Sequence, residues 1–336
     1  MDQHEFNSNI KHQASSIKHQ DTSSAYSDYV DKFIADTKAS ELQNIIDKTH
    51  RIGPVNRQFE VNILEGDKGI VIIPAEAGNG SSFAQIIRMK FMKSLFPEMS
   101  VIYLPAATIF QPKAMNLPKG KNPLDAINES ILRAYEQFGK MGRIVLLGNS
   151  QAATVVTYFA TDWRAPNNTA LIATEPTNVV DRSLLELALR FKGNGENTLN
   201  YEKNLYFKNT KNDELQSKIL KEISPAQIFL FISGLLIPDN MRVFNELRKN
   251  TFHRDAEIAL KRGATIMHAW AKRGISPVEN NRQIAHDLLQ KYPNSYASKE
   301  YDKRKDDPDQ DYDHALTNNL QTTAELTDIL KEKANL

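Results

Sequence analysis

The sequence predicts an α/β fold, a mostly parallel sheet flanked by helices. Three features point there. The runs Ile70-Val71-Ile72-Ile73, Val101-Ile102-Tyr103-Leu104, Ile144-Val145-Leu146-Leu147 and Ala170-Leu171-Ile172-Ala173 are apolar at every position, as in strands buried on both faces. Helical spacing separates them, as in Leu124, Ile127, Ile131, Ala134, Tyr135 and Phe138. Strand and helix then alternate through residues 70–176, which implies βαβ units with right-handed crossovers.

The elements follow in order. Residues 1–28 are polar, rich in His, Gln, Ser and Asn, and read as a flexible arm. Residues 29–50 carry Val30, Phe33, Ile34, Leu42, Ile45 and Ile46 at roughly helical spacing. Phe59 to Leu64 alternates, as a half-exposed strand does. After the strand at Ile70–Ile73 comes a small-residue loop over residues 74–81 and a helix over 83–95. The strand at 101–104 leads through a Pro-containing loop to a helix over 124–138. The strand at 144–147 turns abruptly at Gly148-Asn149-Ser150 into a helix over 152–159. Alternation stops after the strand at 170–173. Residues 183–260 read as a mostly helical cap inserted into a core made of 51–182 and 261–336, with 1–50 as arm and helix. The strand signal returns at Ala264-Thr265-Ile266-Met267-His268, then a helix over 278–289, a charged stretch over 299–313 that reads as a solvated loop, and a last helix over about 315–331.

Composition narrows the function. The 336 residues are 40% hydrophobic and 25% charged, enough for a real core in one large domain with an insertion or in two domains. The 42 Lys and Arg balance 41 Asp and Glu, so no nucleic-acid partner is expected. Cysteine is absent, which removes disulfides, cysteine-ligated metals and a cysteine nucleophile, and suits a cytoplasmic location. The arm has no apolar stretch of the signal-peptide kind. The longest apolar run, residues 227–238, has about 12 residues where a membrane span needs ~20, so no integral membrane segment is expected. His4, His12 and His19 fit no compact metal site, and Gly78-Asn79-Gly80-Ser81 lacks the features of a phosphate-binding loop. No metal and no cofactor are expected.

The chemistry concentrates in Gly148-Asn149-Ser150-Gln151-Ala152, a Gly-x-Ser-x-Ala string between a buried strand and a helix. A serine at such a turn is held in a strained conformation with its hydroxyl at the carboxyl end of the sheet. The residues two before and two after must be small, because strand and helix nearly touch there. Gly148 and Ala152 are small. The helix N-terminus aims free N–H groups at the same point.

On these residues the chain resembles the α/β-hydrolase fold family of serine esterases and lipases, continuously over about residues 69–176 and more weakly over 264–330. The resemblance implies Ser150 as nucleophile, with the Gln151 backbone N–H as half of an oxyanion hole. It implies the other half within residues 75–77, at Glu76, where this chain has Pro74-Ala75 in place of the family's His-Gly. It implies a late histidine as base, and His314, before the last helix, matches that position. It also implies an aspartate four residues before Pro277, but that residue is Arg273. The acid then has to come from elsewhere: Glu175, after the preceding strand, is the leading candidate, with Asp181, Asp313 and Glu279 behind it.

The resulting expectation is a serine hydrolase acting on a small-molecule carboxylic ester or related acyl compound, esterase- or lipase-like because of the apolar stretch in the cap. Transfer of the acyl group to an alcohol would use the same residues. The alternative from another class is a degenerate hydrolase-fold protein that binds a ligand or partner, motivated by Arg273 and by Pro74-Ala75. Oligomeric state is not legible in the sequence.

Overall fold

A computed structural model describes residues 22–52, 59–74, 82–104, 122–140, 142–183, 186, 238–272, 274, 276–302, 316 and 319–336. Its centre is a seven-stranded sheet. Four strands are those the apolar runs predict: β4 (Gly69–Pro74), β5 (Ser100–Leu104), β6 (Arg143–Asn149) and β7 (Ala170–Thr174). β3 (Ile63–Leu64) lies antiparallel on one edge against β5. β8 (Thr265–Ala271) and β9 (Tyr296–Tyr301) complete the other side. The order is β3-β5-β4-β6-β7-β8-β9, with every neighbouring pair from β5 to β9 parallel.

Uniform burial of the strands follows from helices on both faces. Ile70, Ile72, Ile144, Leu146, Leu171 and Ile266 face a layer made by α4 (Pro123–Phe138), α5 (Gln151–Phe159), α7 (Phe252–Lys261) and α8 (Val278–Lys291). Alternate residues Val71, Ile73, Val145, Leu147, Ile172 and Met267 face α1 (Thr22–Asp36), α2 (Ala39–Ile46), α3 (Ser82–Leu95) and α9 (Leu320–Ala334). Such a sheet reads as a continuous apolar run because both sides of the pleat are core. From β4 the chain first adds β5 on one side, then crosses back to add β6 on the other. The direction of winding therefore reverses between β4 and β6, and in open α/β sheets ligands bind at the carboxyl ends of the strands at such a switch point.

Several elements differ from the sequence expectation. The last part of the arm, from Thr22, is helical, and Tyr26 donates to Asp328 of α9 at 2.6 Å. Residues 29–50 form two helices, and His50 begins a short strand, β1 (His50–Ile52), paired with β2 (Phe59–Val61). The charged stretch does not begin as a solvated loop: Lys299 and Glu300 lie in β9, where Glu300 accepts from Arg282 at 2.7 Å and Lys299 pairs with Glu325. Paired charges let an edge strand carry them half-buried. Of the insertion expected over 183–260, α6 (Pro238–Leu247) and α7 are helical, and α7 sinks Phe252, Ala256, Ala259 and Leu260 into the sheet layer. Residues 187–237, with most of the apolar run, lie outside the described residues. Among the described residues no helix is long and apolar enough to cross a membrane.

Candidate active site

β6 leaves the sheet at Asn149, and Ser150 follows as the N-cap of α5 with φ 57° and ψ −120°. An L-residue is strained there, at a cost of roughly 1–3 kcal/mol. The turn is tight enough that a Cβ on Gly148 would strike the backbone of Ala152 and Ala153. The sequence requirement for small residues is thus a main-chain clash. The Ser150 N–H donates to the Thr174 carbonyl at 2.8 Å, tying the turn to the next strand.

Ser150 is buried, and among the described residues its Oγ has no hydrogen-bond partner. The same holds for both polar atoms of the buried Gln151 amide and for Asn149 Nδ2. An unmet buried polar group costs about 1–3 kcal/mol, so unmet atoms in three consecutive residues set this turn apart among the described residues. Asn149 Oδ1 is met, accepting from Thr174 Oγ1 at 2.7 Å.

Glu175 occupies the matching turn on β7. Asn149 and Thr174 are partners in the β6–β7 register, so Ser150 and Glu175 are the next residues on neighbouring strands. Glu175 also has a left-handed backbone, φ 50°, and its N–H donates to the Ala269 carbonyl at 2.8 Å. It is fully buried. Its carboxylate reaches across the end of β8. One oxygen accepts from the Ala271 N–H, and the other accepts from the Ser276 N–H at 3.1 Å. Ser276 Oγ donates to the Pro176 carbonyl at 2.5 Å and staples the two loops together. Gly274 lies directly against the carboxylate: a Cβ there would overlap both oxygens. Main-chain donors on both oxygens offset the desolvation that an unpaired buried carboxylate would suffer.

The loop after β7 is held on its far side too. Thr154 of α5 donates to Asn178 Oδ1 at 2.8 Å, and Asn178 Nδ2 donates to Thr251 Oγ1 at 2.9 Å at the start of α7. Arg182, with a buried side chain, ends this loop beside Glu186.

The other sequence candidates fall as follows. Asp181 is exposed and accepts from the Asn250 N–H at 2.8 Å. Glu279 is exposed on α8 and pairs with Arg282 at 2.8 Å. His314, Glu76, Asp313 and Arg273 lie outside the described residues. His268, at the end of the strand signal over 264–268, is fully buried in β8 between Tyr296 Oη at 2.7 Å and Asn281 Oδ1 at 3.1 Å. Burial pulls its pKa down to about 3, so it is a neutral core residue. The cradle of Ala271, Gly274 and Ser276 was not anticipated. Its trace in the sequence is the glycine next to Arg273. Among the described residues no group of three or more His, Asp or Glu could hold a metal ion.

No protein-family model matches this chain, and no curated protein matches it in sequence. Solved structures do match in three dimensions. A lipase candidate from Acinetobacter baumannii AYE is 12% identical with a TM-score of 0.51, the match covering 90% of this chain and 98% of that one. A bromoperoxidase from Bacillus anthracis is 11% identical with a TM-score of 0.50, over 86% of this chain and 100% of that one. E-2-(acetamidomethylene)succinate hydrolase is 12% identical with a TM-score of 0.50, over 84% and 97%. Identities this low speak to architecture alone. With its strand order, its antiparallel edge strand β3 and helices on both faces of the sheet, the chain has the α/β-hydrolase fold.

Proposed function

We propose that this chain is a serine hydrolase that cleaves a carboxylic ester or related acyl compound through an acyl-enzyme, with Ser150 as nucleophile, His314 as base and Glu175 as the acid. The observation that carries the reading is the Ser150 turn, a buried hydroxyl in left-handed backbone at the N-terminus of α5 and at the carboxyl end of the sheet. Strain of this kind persists where function requires the side chain to be lifted out of the strand path.

In this reading Ser150 Oγ attacks the acyl carbon while the His314 imidazole takes its proton. The oxyanion is held by the Gln151 N–H and by a second N–H from Glu76. The imidazolium returns the proton to the leaving alkoxide, and the same base then activates water to release the acid. Glu175 orients the imidazole. His314 and Glu76 enter on their sequence positions, Glu175 on its burial next to Ser150 and its two main-chain donors. A small-molecule substrate fits this scheme.

The test is chemical. Purified protein should hydrolyse p-nitrophenyl esters and react with a fluorophosphonate probe, with the modified peptide containing Ser150. A Ser150→Ala variant that labels and turns over as well as the wild type would sink the reading and return the degenerate, ligand-binding alternative.

A further inference from the structure

We infer that Gly274 is a positioning residue: Ala271, Gly274 and Ser276 form a cradle shaped to receive the carboxylate of Glu175 from the neighbouring strand, and the missing side chain at 274 is what admits it. The inference rests on the reading of Ser150 and Glu175 proposed above and assigns a role to the loop after β8.

Three observations converge. The two oxygens of Glu175 accept from main-chain N–H groups of the same turn, Ala271 and Ser276. The space between those donors is open only because residue 274 has no side chain, since a Cβ would overlap the carboxylate carbon and both oxygens. The role of Gly274 is therefore to leave room, and the group that fills the room is a carboxylate. The turn is fastened in place: Gly274 N–H donates to the Ala271 carbonyl at 3.0 Å, and Ser276 Oγ holds the Pro176 carbonyl one residue beyond Glu175. The acid is carried by one strand and seated by the next.

Gly274 touches no reacting atom in this scheme and acts through Glu175. That makes a sharp expectation. In wild-type background Gly274→Ala pushes the carboxylate out of its seat. In a Glu175→Ala background the space is empty, and the same change meets nothing. The experiment is a double-mutant cycle on the full chain, read both by thermal melting and by steady-state hydrolysis of p-nitrophenyl acetate. Gly274→Ala alone should lower Tm by ~5 °C or more, and should lower Tm by less than about 1 °C when added to Glu175→Ala. It should reduce kcat by on the order of 10²-fold with KM within about threefold, and should reduce kcat no further in the Glu175→Ala protein, since residues that act as a unit are not additive. Melting effects that add in the two backgrounds would overturn the cradle. Coupled melting with an unchanged kcat in Gly274→Ala would make the glycine structural and overturn its positioning role. A wild type that neither turns over nor labels with fluorophosphonate would remove the reading of Ser150, and with it the positioning role, while the coupled melting would still stand.

Discussion

Ser150 and Glu175 follow paired residues on adjacent parallel strands, and both leave those strands in left-handed backbone, at φ 57° and 50°. Two strained turns in one rung of a sheet are costly. They lift a hydroxyl and a carboxylate out of the strand direction at the same level, on either side of the β6–β7 seam. The hydroxyl is left without a partner among the described residues, whereas the carboxylate is fully seated. That difference matches the proposed mechanism, in which Ser150 reacts and Glu175 holds.

Strain at Ser150 makes stability and activity oppose each other there. Ser150→Gly should raise stability by roughly 1 kcal/mol, because glycine accepts φ 57° and ψ −120° and also removes a buried hydroxyl that has no partner among the described residues. Ser150→Ala keeps the strain and should melt below Ser150→Gly. Both should abolish probe labelling. Urea unfolding of the three proteins, followed by circular dichroism, checks the order.

Glu175→Gln keeps the shape of the side chain but presents an NH₂ where Ala271 and Ser276 offer N–H donors. One donor is then left facing another, a loss of about 1–3 kcal/mol in stability. Without the charge, the imidazole of the proposed mechanism loses its orienting acid, and kcat should fall by up to ~10⁴. Kinetics on a p-nitrophenyl ester together with a melting curve resolve the two effects.

Gly148→Ala tests the tightness of the turn by itself. Its Cβ would meet backbone of Ala152 and Ala153, which cannot swing aside as a side chain can. A loss of ~3 kcal/mol or more is expected, at the upper end of overpacking costs. Chemical denaturation measures it, and a loss within 0.5 kcal/mol of zero, roughly the range of surface substitutions, would mean that β6 and α5 are further apart.

His268 predicts an acid limb in stability. Folding holds its pKa near 3 by burial, well below the ordinary 6.5 of an exposed imidazole. Below pH 6.5 the unfolded chain takes up a proton that the folded chain refuses until about pH 3. Its contribution is therefore complete above pH 6.5 and is lost as pH falls toward 3, at up to about 1.4 kcal/mol per pH unit. His268→Gln should weaken the protein at pH 7 through Tyr296 and Asn281, its two partners, and should flatten the decline between pH 6 and 4. Urea midpoints across that range give the slope, and an unchanged slope would assign the acid limb to other groups.

Much of this molecule is written in local pattern. Strands β4 to β7 are legible because a doubly covered parallel strand must be apolar at each position, as Ile70 to Ile73 are. The Ser150 turn is legible because Gly148 and Ala152 answer a local steric demand. What stays hidden is whatever depends on partners distant in the chain. β9 does not look like a strand, since Lys299 and Glu300 are charged; only their meeting with Glu325 and Arg282 makes them tolerable in the sheet. α7 looks like part of an insertion, and becomes core because its apolar face meets α5 and β8.

The acid shows the division most clearly. Chain order alone determined a serine lifted between a strand and a helix, and showed that Arg273 cannot serve as a carboxylate. It put Glu175 first for its place after a strand, with Asp181 and Glu279 behind it, but could not show their surroundings. Tertiary structure separates them, burying Glu175 between two main-chain donors 96 and 101 residues away while Asp181 and Glu279 remain in solvent. The reason is physical: a motif is read from neighbours along the chain, whereas the burial and hydrogen bonding of a charge are set by whichever strands and loops the sheet brings beside it.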